Sequence, residues 1–136
     1  MPLLEQVLKQ NPETVKIVFK NLPLRMHDMA KPAALAALAA NKQGKFWEFH
    51  DKLFAEKKIT QASLDRIATE VGLDIKQFKR DKSSKQLVNH MNSDMSEANT
   101  LGITGTPTIF INGRKAKERS LDGFQTLIDQ ELRKLN

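Results

Sequence analysis

The chain has 136 residues, 40% of them hydrophobic and 28% charged, which are the proportions of one globular domain with a real core. No stretch approaches the roughly 20 apolar residues that span a bilayer, and the N-terminus lacks the pattern of an export signal, so we expect no membrane insertion. The net charge of +6 permits binding to polyanions without requiring it. The chain contains no cysteine.

The N-terminal segment predicts a helix that Asn11 and Pro12 end. Its apolar residues recur on one helical face: Leu3, Leu4, Val7 and Leu8. Val15–Phe19 follows. This segment is β-branched and nearly all apolar, which is typical of an inner strand covered on both faces. The next residues, Leu22–Leu24, predict a loop.

Five helices are predicted in the middle of the chain. The evidence is an alanine-rich run, amphipathic repeats, N-cap residues before the apolar stripes and glycines after them. In chain order these helices cover Pro32–Ala40, Lys45–Glu56, the segment between Thr60 and Gly72, a short helix from Asp74 to Phe78, and Ser84–Leu101.

A hairpin and a last helix complete the pattern. Gly105-Thr106-Pro107 predicts a turn-rich loop, and Ile109–Ile111 with Lys115–Arg119 predicts two strands joined at Asn112-Gly113. Ser120 is a good N-cap for the final helix. No repeat or linker divides the chain.

Residues typical of metal or cofactor sites are scarce. The histidines His27, His50 and His90 have no helical metal-pair spacing, and no cysteine could complete a zinc site. No phosphate-binding glycine loop or nucleophilic serine motif is present. We therefore expect no metal and no cofactor, identify no catalytic residue, and interpret His50 as a hydrogen-bonded core residue.

The densest basic segment lies late in the helical region. Its cations are Lys76, Lys79, Arg80, Lys82 and Lys85. Only Phe78 is interleaved with them, whereas proteins that bind single strands usually offer several stacking aromatics. We interpret this segment as a solvated helix face and expect no nucleic-acid partner.

Three stretches together resemble one family. Residues 102–113, Gly-Ile-Thr-Gly-Thr-Pro-Thr-Ile-Phe-Ile-Asn-Gly, resemble the cis-proline loop and hairpin of DsbA-like thiol–disulfide oxidoreductases, a branch of the thioredoxin fold. Residues 15–24 resemble the family's second strand and loop, and residues 43–54 the start of its helical insertion. The resemblance implies an α/β (α+β) single domain over 1–136, with a thioredoxin-like sheet and a helical insertion over 31–101.

The chain departs from this family at its N-terminal end. In such proteins a first strand and a Cys-x-x-Cys motif come before the helix that here contains Pro2–Val7. The resemblance therefore implies a sheet without its first strand and a chain that is redox-inactive as written, since thiolate is the nucleophile of disulfide exchange. An engineered fragment, a misplaced start and a truncated paralogue all stay open, and so does whether the chain is part of an enzyme.

The resemblance also implies a binding site and partners. The family's loop pairs with extended polypeptide through the residue before proline, which implies a peptide site at Thr104, Gly105, Thr106 and Pro107, with a cis Thr106–Pro107 bond. A non-catalytic peptide-binding module using the same loop is the alternative. A homodimer that completes the sheet, and a periplasmic or other extracytoplasmic location, are further expectations.

Overall fold

A computed structural model describes residues 2–136, which form two compact units. The hairpin unit contains the chain up to Phe19 and Gly105–Asn136, and the helical unit is Lys20–Thr104. The elements are α1 (Pro2–Gln10), α2 (Ala30–Lys42), α3 (Phe46–Ala55), α4 (Gln61–Glu70), α5 (Ile75–Lys82), α6 (Lys85–Thr100), β1 (Phe110–Ile111), β2 (Arg114–Lys115) and α7 (Leu121–Leu135). Within residues 2–136, no helix has the length and apolar character needed to cross a membrane.

The helical unit is built around α2, which packs against α3, α4, α5 and α6. Alanines allow this close packing because their side chains are short, and five are buried: Ala33, Ala36, Ala37, Ala39 and Ala40. The larger core side chains come from the surrounding helices. The rings of Phe49 and Phe78 are fully buried, with centroids 5.9 Å apart. The unit therefore has its own hydrophobic core.

The predicted caps of these helices are confirmed. Thr60 caps α4, in a reciprocal capping box with Ser63, and the side chain of Asp74 caps α5. Ser84, predicted only as the start of the next helix, is the N-cap of α6. Gly72 has a φ of 78°, in the left-handed region that ends helices well. The prediction for α5 is too short, because the helix runs on past Phe78 to Lys82, where cations in the last turn suit the helix dipole.

The hairpin unit is held together by α1 and α7. Val7, Phe124 and Ile128 are its buried core, and half-buried apolar residues of the hairpin pack against them. Asn11 ends α1, as predicted, and its Nδ2 donates to Val7 C=O (2.9 Å) and to Gln125 Oε1 (2.8 Å). A buried side-chain amide thus joins the end of α1 to α7.

The predicted hairpin is confirmed, with shorter strands than expected. Asn112 and Gly113 have φ values of 47° and 80°, which is the positive-φ pair that a two-residue type I′ turn requires. This turn pairs Ile111 with Arg114, so β2 starts one residue before the predicted position. Arg114 then donates to Gln130 and Glu131 of α7.

The prediction of an inner strand at Val15–Phe19 is wrong. The segment forms no strand in the described part of the chain, and the sheet of the hairpin unit has two strands, β1 and β2. Val18 is 66% exposed, so the segment is not covered on both faces either. The apolar pattern was strand-like, but a strand also needs a neighbouring chain to satisfy its backbone groups.

Candidate functional site

The loop Thr104–Pro107 follows directly from the end of α6. Gly102 has a φ of 67°, and the N–H of Ile103 donates to the C=O of Ala98 (2.9 Å). These are features of a Schellman C-cap, as expected for Gly102. The boundary between the two units lies in this loop, after Thr104. The cap therefore fixes where the helix stops and the loop begins.

Within the loop, the Thr106–Pro107 peptide bond is cis, as the resemblance implied. Thr104, Thr106 and Pro107 are exposed, and Gly105 is half-buried. The hydroxyl of Thr108 donates to the C=O of Gly105 (2.7 Å), which braces the loop from inside the hairpin unit. The four predicted site residues are thus consecutive residues of one loop, three of them facing solvent.

Thr106 has backbone groups available for a ligand. Among residues 2–136, neither its N–H nor its C=O makes a hydrogen bond. An exposed N–H and C=O on one residue can pair with the backbone of an extended peptide, as in β-strand addition. Within the described residues, Thr106 therefore offers one unpaired backbone donor and one unpaired backbone acceptor on an exposed loop.

The edge of β1 offers more backbone groups. The N–H of Ala116 donates to the C=O of Ile109 (2.9 Å), and Ile111 pairs with Arg114. Because hydrogen-bonded and non-hydrogen-bonded pairs alternate along an antiparallel ladder, the N–H and C=O of Phe110 point away from β2. The Phe110 side chain is 37% exposed. This side of the hairpin is a sheet edge of the kind that accepts a further strand.

The histidines do not form a site. His50 is buried, its Nδ1 lies 3.1 Å from Asp51 Oδ1, and its ring stacks on Phe54, which confirms its interpretation as a hydrogen-bonded core histidine. His27 lies on an exposed loop and His90 on α6. In the described part of the chain, no three side chains of the His, Cys, Asp or Glu type could hold a metal ion.

Sequence reasoning missed one buried carboxylate. Asp94 Oδ2 accepts hydrogen bonds from the backbone N–H (2.9 Å) and the side-chain Nδ2 (2.8 Å) of Asn21, and His90 Nε2 lies 3.7 Å away. The signal was present in the sequence, since Asp94 falls on the apolar stripe of α6 between Met91 and Ala98. An acid on such a stripe needs donors to be buried.

A family model for thioredoxin matches residues 2–130, nearly the whole chain. The chain belongs to the thioredoxin family. Its thioredoxin-like fold is of the α/β class, as the resemblance implied, with mostly helical structure and a small sheet. Among its relatives, the probable disulfide bond formation protein D of Bacillus anthracis is 31% identical over 129 residues, covering 88% of this chain and 59% of that protein.

Some other relatives are much longer than this chain. The Na⁺/H⁺ antiporter NhaA 3 of Salinispora tropica is 38% identical over 104 residues, which cover 75% of this chain and 16% of the antiporter. The chain thus spans about one sixth of that relative and under two thirds of the Bacillus anthracis protein. Activities of these whole proteins are not carried over to it by the match.

Solved structures give the same fold. A thioredoxin-like oxidoreductase from Silicibacter pomeroyi superposes with a TM-score of 0.88 at 29% identity, covering 98% of this chain and 77% of that one. The thiol-disulfide exchange protein α-DsbA2 from Wolbachia pipientis gives 0.81 at 20% identity, over 95% and 71%. The resemblance to thiol–disulfide oxidoreductases is therefore confirmed, together with the absence of cysteine. The peptide site, the single domain over 1–136 and its 31–101 insertion stay predictions.

Proposed function

We propose that this chain is the polypeptide-binding part of a thiol–disulfide oxidoreductase of the thioredoxin family. It binds an extended peptide through the N–H and C=O of Thr106 and exchanges no disulfide by itself. The observation that carries the proposal is the pair of unbonded backbone groups of Thr106 beside the exposed Pro107. The similarity to a thioredoxin-like oxidoreductase from Silicibacter pomeroyi supports the assignment to an oxidoreductase, and the polypeptide substrate is proposed from the backbone groups of Thr106.

The chemistry of the chain limits it to binding. Disulfide exchange proceeds by attack of a thiolate on a sulfur atom, through a mixed disulfide. Without cysteine, no group in this chain can form that intermediate. Any redox step at Thr106–Pro107 therefore depends on thiols supplied by the substrate or by another polypeptide. The alternative function, a purely non-catalytic peptide-binding module, uses the same loop, so a binding measurement tests both proposals.

A pair of substitutions at one residue tests the binding. Thr106→Pro removes the backbone N–H, whereas Thr106→Ala removes only the side chain. We expect the affinity for an unstructured fluorescent peptide, measured by anisotropy, to fall at least about tenfold in Thr106→Pro, since the lost hydrogen bond leaves a peptide C=O unpaired. Thr106→Ala should stay within about threefold of the unchanged chain, since it keeps both backbone groups.

Three results would contradict the proposal. The unchanged chain could fail to bind unstructured peptides, both substitutions could weaken binding equally, or neither could weaken it. Circular dichroism of each variant checks that the fold is intact. If Thr106→Pro unfolds the chain, Thr106→Ala is compared with Phe110→Pro, which removes a donor of the β1 edge further along the same peptide path.

We also propose that, in the peptide-free chain, the open edge of β1 is completed by a strand from a second copy of this chain, which a bound peptide displaces. The N–H and C=O of Phe110 face away from β2, and Lys16–Val18 makes no backbone hydrogen bond within the described residues. Both segments belong to the hairpin unit. Light scattering over a concentration series should give the mass of a dimer, and a monomer at every concentration would overturn this second proposal.

The location is proposed from the relatives. Disulfides form and persist in oxidising compartments, and a relative at 31% identity is named a probable disulfide bond formation protein. We therefore propose that the chain acts outside the cytoplasm, in the periplasm where the cell has one. Fractionation of cells with an antibody to the chain would place it, and recovery solely with cytoplasmic markers would contradict the proposal.

A further inference from the structure

Basic side chains of the helical unit differ in how they are neutralised. Several have a carboxylate partner within ion-pair distance: Lys20 with Glu97 (2.6 Å), Lys45 with Glu48 (3.5 Å), Lys52 with Glu70 (3.1 Å), Lys82 with Asp65 (3.5 Å), and Arg66 with Glu56 and Glu70. Close pairing of opposite charges cancels most of their field beyond a Debye length. These parts of the surface therefore attract a distant anion weakly.

The outer face of α5 is different. Lys76 and Lys79 are exposed and make no ion pair within residues 2–136, and neither does Lys85 at the start of α6. Arg80 is 70% exposed, with Asp81 Oδ1 at 3.9 Å from its Nε. We call these four residues the basic face. Lys76, Lys79 and Arg80 lie on one side of the helix because they are three and four residues apart.

A fifth cation extends the basic face. Lys42 Nζ, at the end of α2, donates to Gln86 Oε1 at 2.6 Å, which brings the ammonium group close to the first turn of α6 beside Lys85. Lys42 and Lys85 thus place two further cations at the start of α6, the helix that follows α5 in the chain. The carboxylates of the ion pairs described above bind cations that are not part of the basic face, whereas Asp81 lies within ion-pair distance of Arg80.

The composition of the basic face decides which kind of anion fits. Phe78 is fully buried and Lys82 lies over its ring (5.2 Å), so α5 exposes no aromatic platform on which bases could stack. The face has one Arg, whereas base reading in a groove depends on bidentate side chains. Flexible lysines on an exposed helix suit a partner that presents many anionic groups at no fixed spacing. An anionic lipid surface is such a partner.

We propose that the basic face docks the helical unit onto the surface of a bilayer containing anionic lipids. The interaction is peripheral and electrostatic, since each Lys or Arg near such a surface is attracted to it and no apolar residue of the face needs to enter the bilayer. It is independent of the peptide loop, because none of Lys76, Lys79, Arg80 and Lys85 lies in Thr104–Pro107.

Sedimentation with vesicles tests the proposal. The full chain is mixed with vesicles of phosphatidylglycerol and phosphatidylcholine, and with vesicles of phosphatidylcholine alone. We expect binding to the first kind alone, and loss of that binding in about 1 M salt, where the Debye length is about 3 Å. The combined variant Lys76→Glu, Lys79→Glu and Lys85→Glu should lower the partition coefficient at least about tenfold.

The matched control changes the net charge by the same amount, at three lysines outside the basic face. Lys31, Lys57 and Lys58 are exposed and have no ion pair in the described part of the chain, so Lys31→Glu, Lys57→Glu and Lys58→Glu is the reference variant. It should bind the anionic vesicles within about threefold of the unchanged chain, because screening confines each charge's effect to its own region.

If the basic-face variant and the reference variant lose vesicle binding equally, net charge alone drives the binding, and the proposal is overturned. So would no binding to anionic vesicles, or tighter binding to duplex or single-stranded DNA at the same salt with the same loss in the basic-face variant. If the Glu variant is unfolded by circular dichroism, Lys76→Gln, Lys79→Gln and Lys85→Gln replaces it, and binding unchanged in that variant overturns the proposal.

Discussion

Asp94 shows how one side chain can organise a helical unit without being part of a binding site. It is 7% exposed and accepts two hydrogen bonds from Asn21, itself 4% exposed. A buried carboxylate is tolerated only when donors replace its water. Here the donors come from the segment that enters the unit, so Asp94 fixes that segment against α6.

We predict that Asp94→Ala lowers the free energy of unfolding by about 2–4 kcal/mol, because it removes charge-assisted hydrogen bonds and leaves the buried N–H of Asn21 without an acceptor. Chemical denaturation measures the change. The control is Glu97→Ala on the same helix: its partner Lys20 is exposed, so the loss should stay below about 1 kcal/mol. Equal losses in the two variants would contradict this role of Asp94.

The carboxyl of Glu131 is expected to make the stability of the hairpin unit depend on pH. A hydrogen bond from Lys134, and then one from Arg114, hold the pKa of the Glu131 carboxyl below its ordinary value. A carboxyl with a lowered pKa in the folded state stabilises the fold above its unfolded pKa, and this contribution is lost as the pH falls through the folded pKa. Carbon NMR titration should show the low pKa, and Lys134→Ala should raise it more than Arg114→Ala does.

At the scale of elements, helix ends were predictable because their signals are local. Thr60, Ser84 and Ser120 each accept a hydrogen bond from the N–H three residues later, and that chemistry needs nothing from the rest of the chain. The Asn112-Gly113 turn was predictable for the same reason, since two positive φ values suit few residue pairs.

The stability of the hairpin is expected to depend on the glycine of its Asn112-Gly113 turn. Gly113 has a φ of 80°, where a Cβ is disfavoured, so Gly113→Ala should cost about 1–2 kcal/mol. Hydrogen exchange of the Ala116 N–H, which donates across the hairpin, would report the weakening. Gly105→Ala is the control, because its φ lies outside the left-handed region and a Cβ there meets nothing within 4 Å. A larger cost at Gly105 than at Gly113 would contradict this account of the turn.

The strand predicted at Val15–Phe19 does not form, and the local sequence could not have shown why. Branched apolar residues favour a strand only where a neighbouring chain takes up their hydrogen bonds. In the hairpin unit, Val15, Ile109 and Ile111 all pack against the α1–α7 core, yet no ladder forms between Val15–Phe19 and β1. The burial of Asp94 could have been inferred from its place on the apolar stripe of α6, but its partner Asn21 could not, because the two residues are distant in sequence.

At the scale of the whole molecule, the chain belongs to the thioredoxin family but lacks the thiol that disulfide exchange requires. The thioredoxin family is shown by a match over residues 2–130, while the chain itself carries no thiol. The described residues form the helical unit, the hairpin and the loop Thr104–Pro107. The proposed role of this polypeptide is therefore peptide recognition without redox chemistry.

An insulin-reduction assay tests whether the chain lacks redox activity. We predict that the chain does not accelerate the reduction of insulin by dithiothreitol above the uncatalysed rate, since no thiolate is available to attack the insulin disulfides. A thioredoxin with an intact Cys-x-x-Cys is the positive control. Acceleration that grows with the concentration of this chain would contradict the prediction.

The most direct test of the central claim follows the backbone of Thr106. A ¹⁵N-labelled sample is titrated with an unstructured peptide, and the amide resonances are recorded. We predict that the Thr106 N–H shifts most and becomes protected from exchange, with smaller changes at Gly105 and at the Phe110 N–H of the β1 edge. Saturable shifts confined to other parts of the chain, with Thr106 unchanged, would contradict the account.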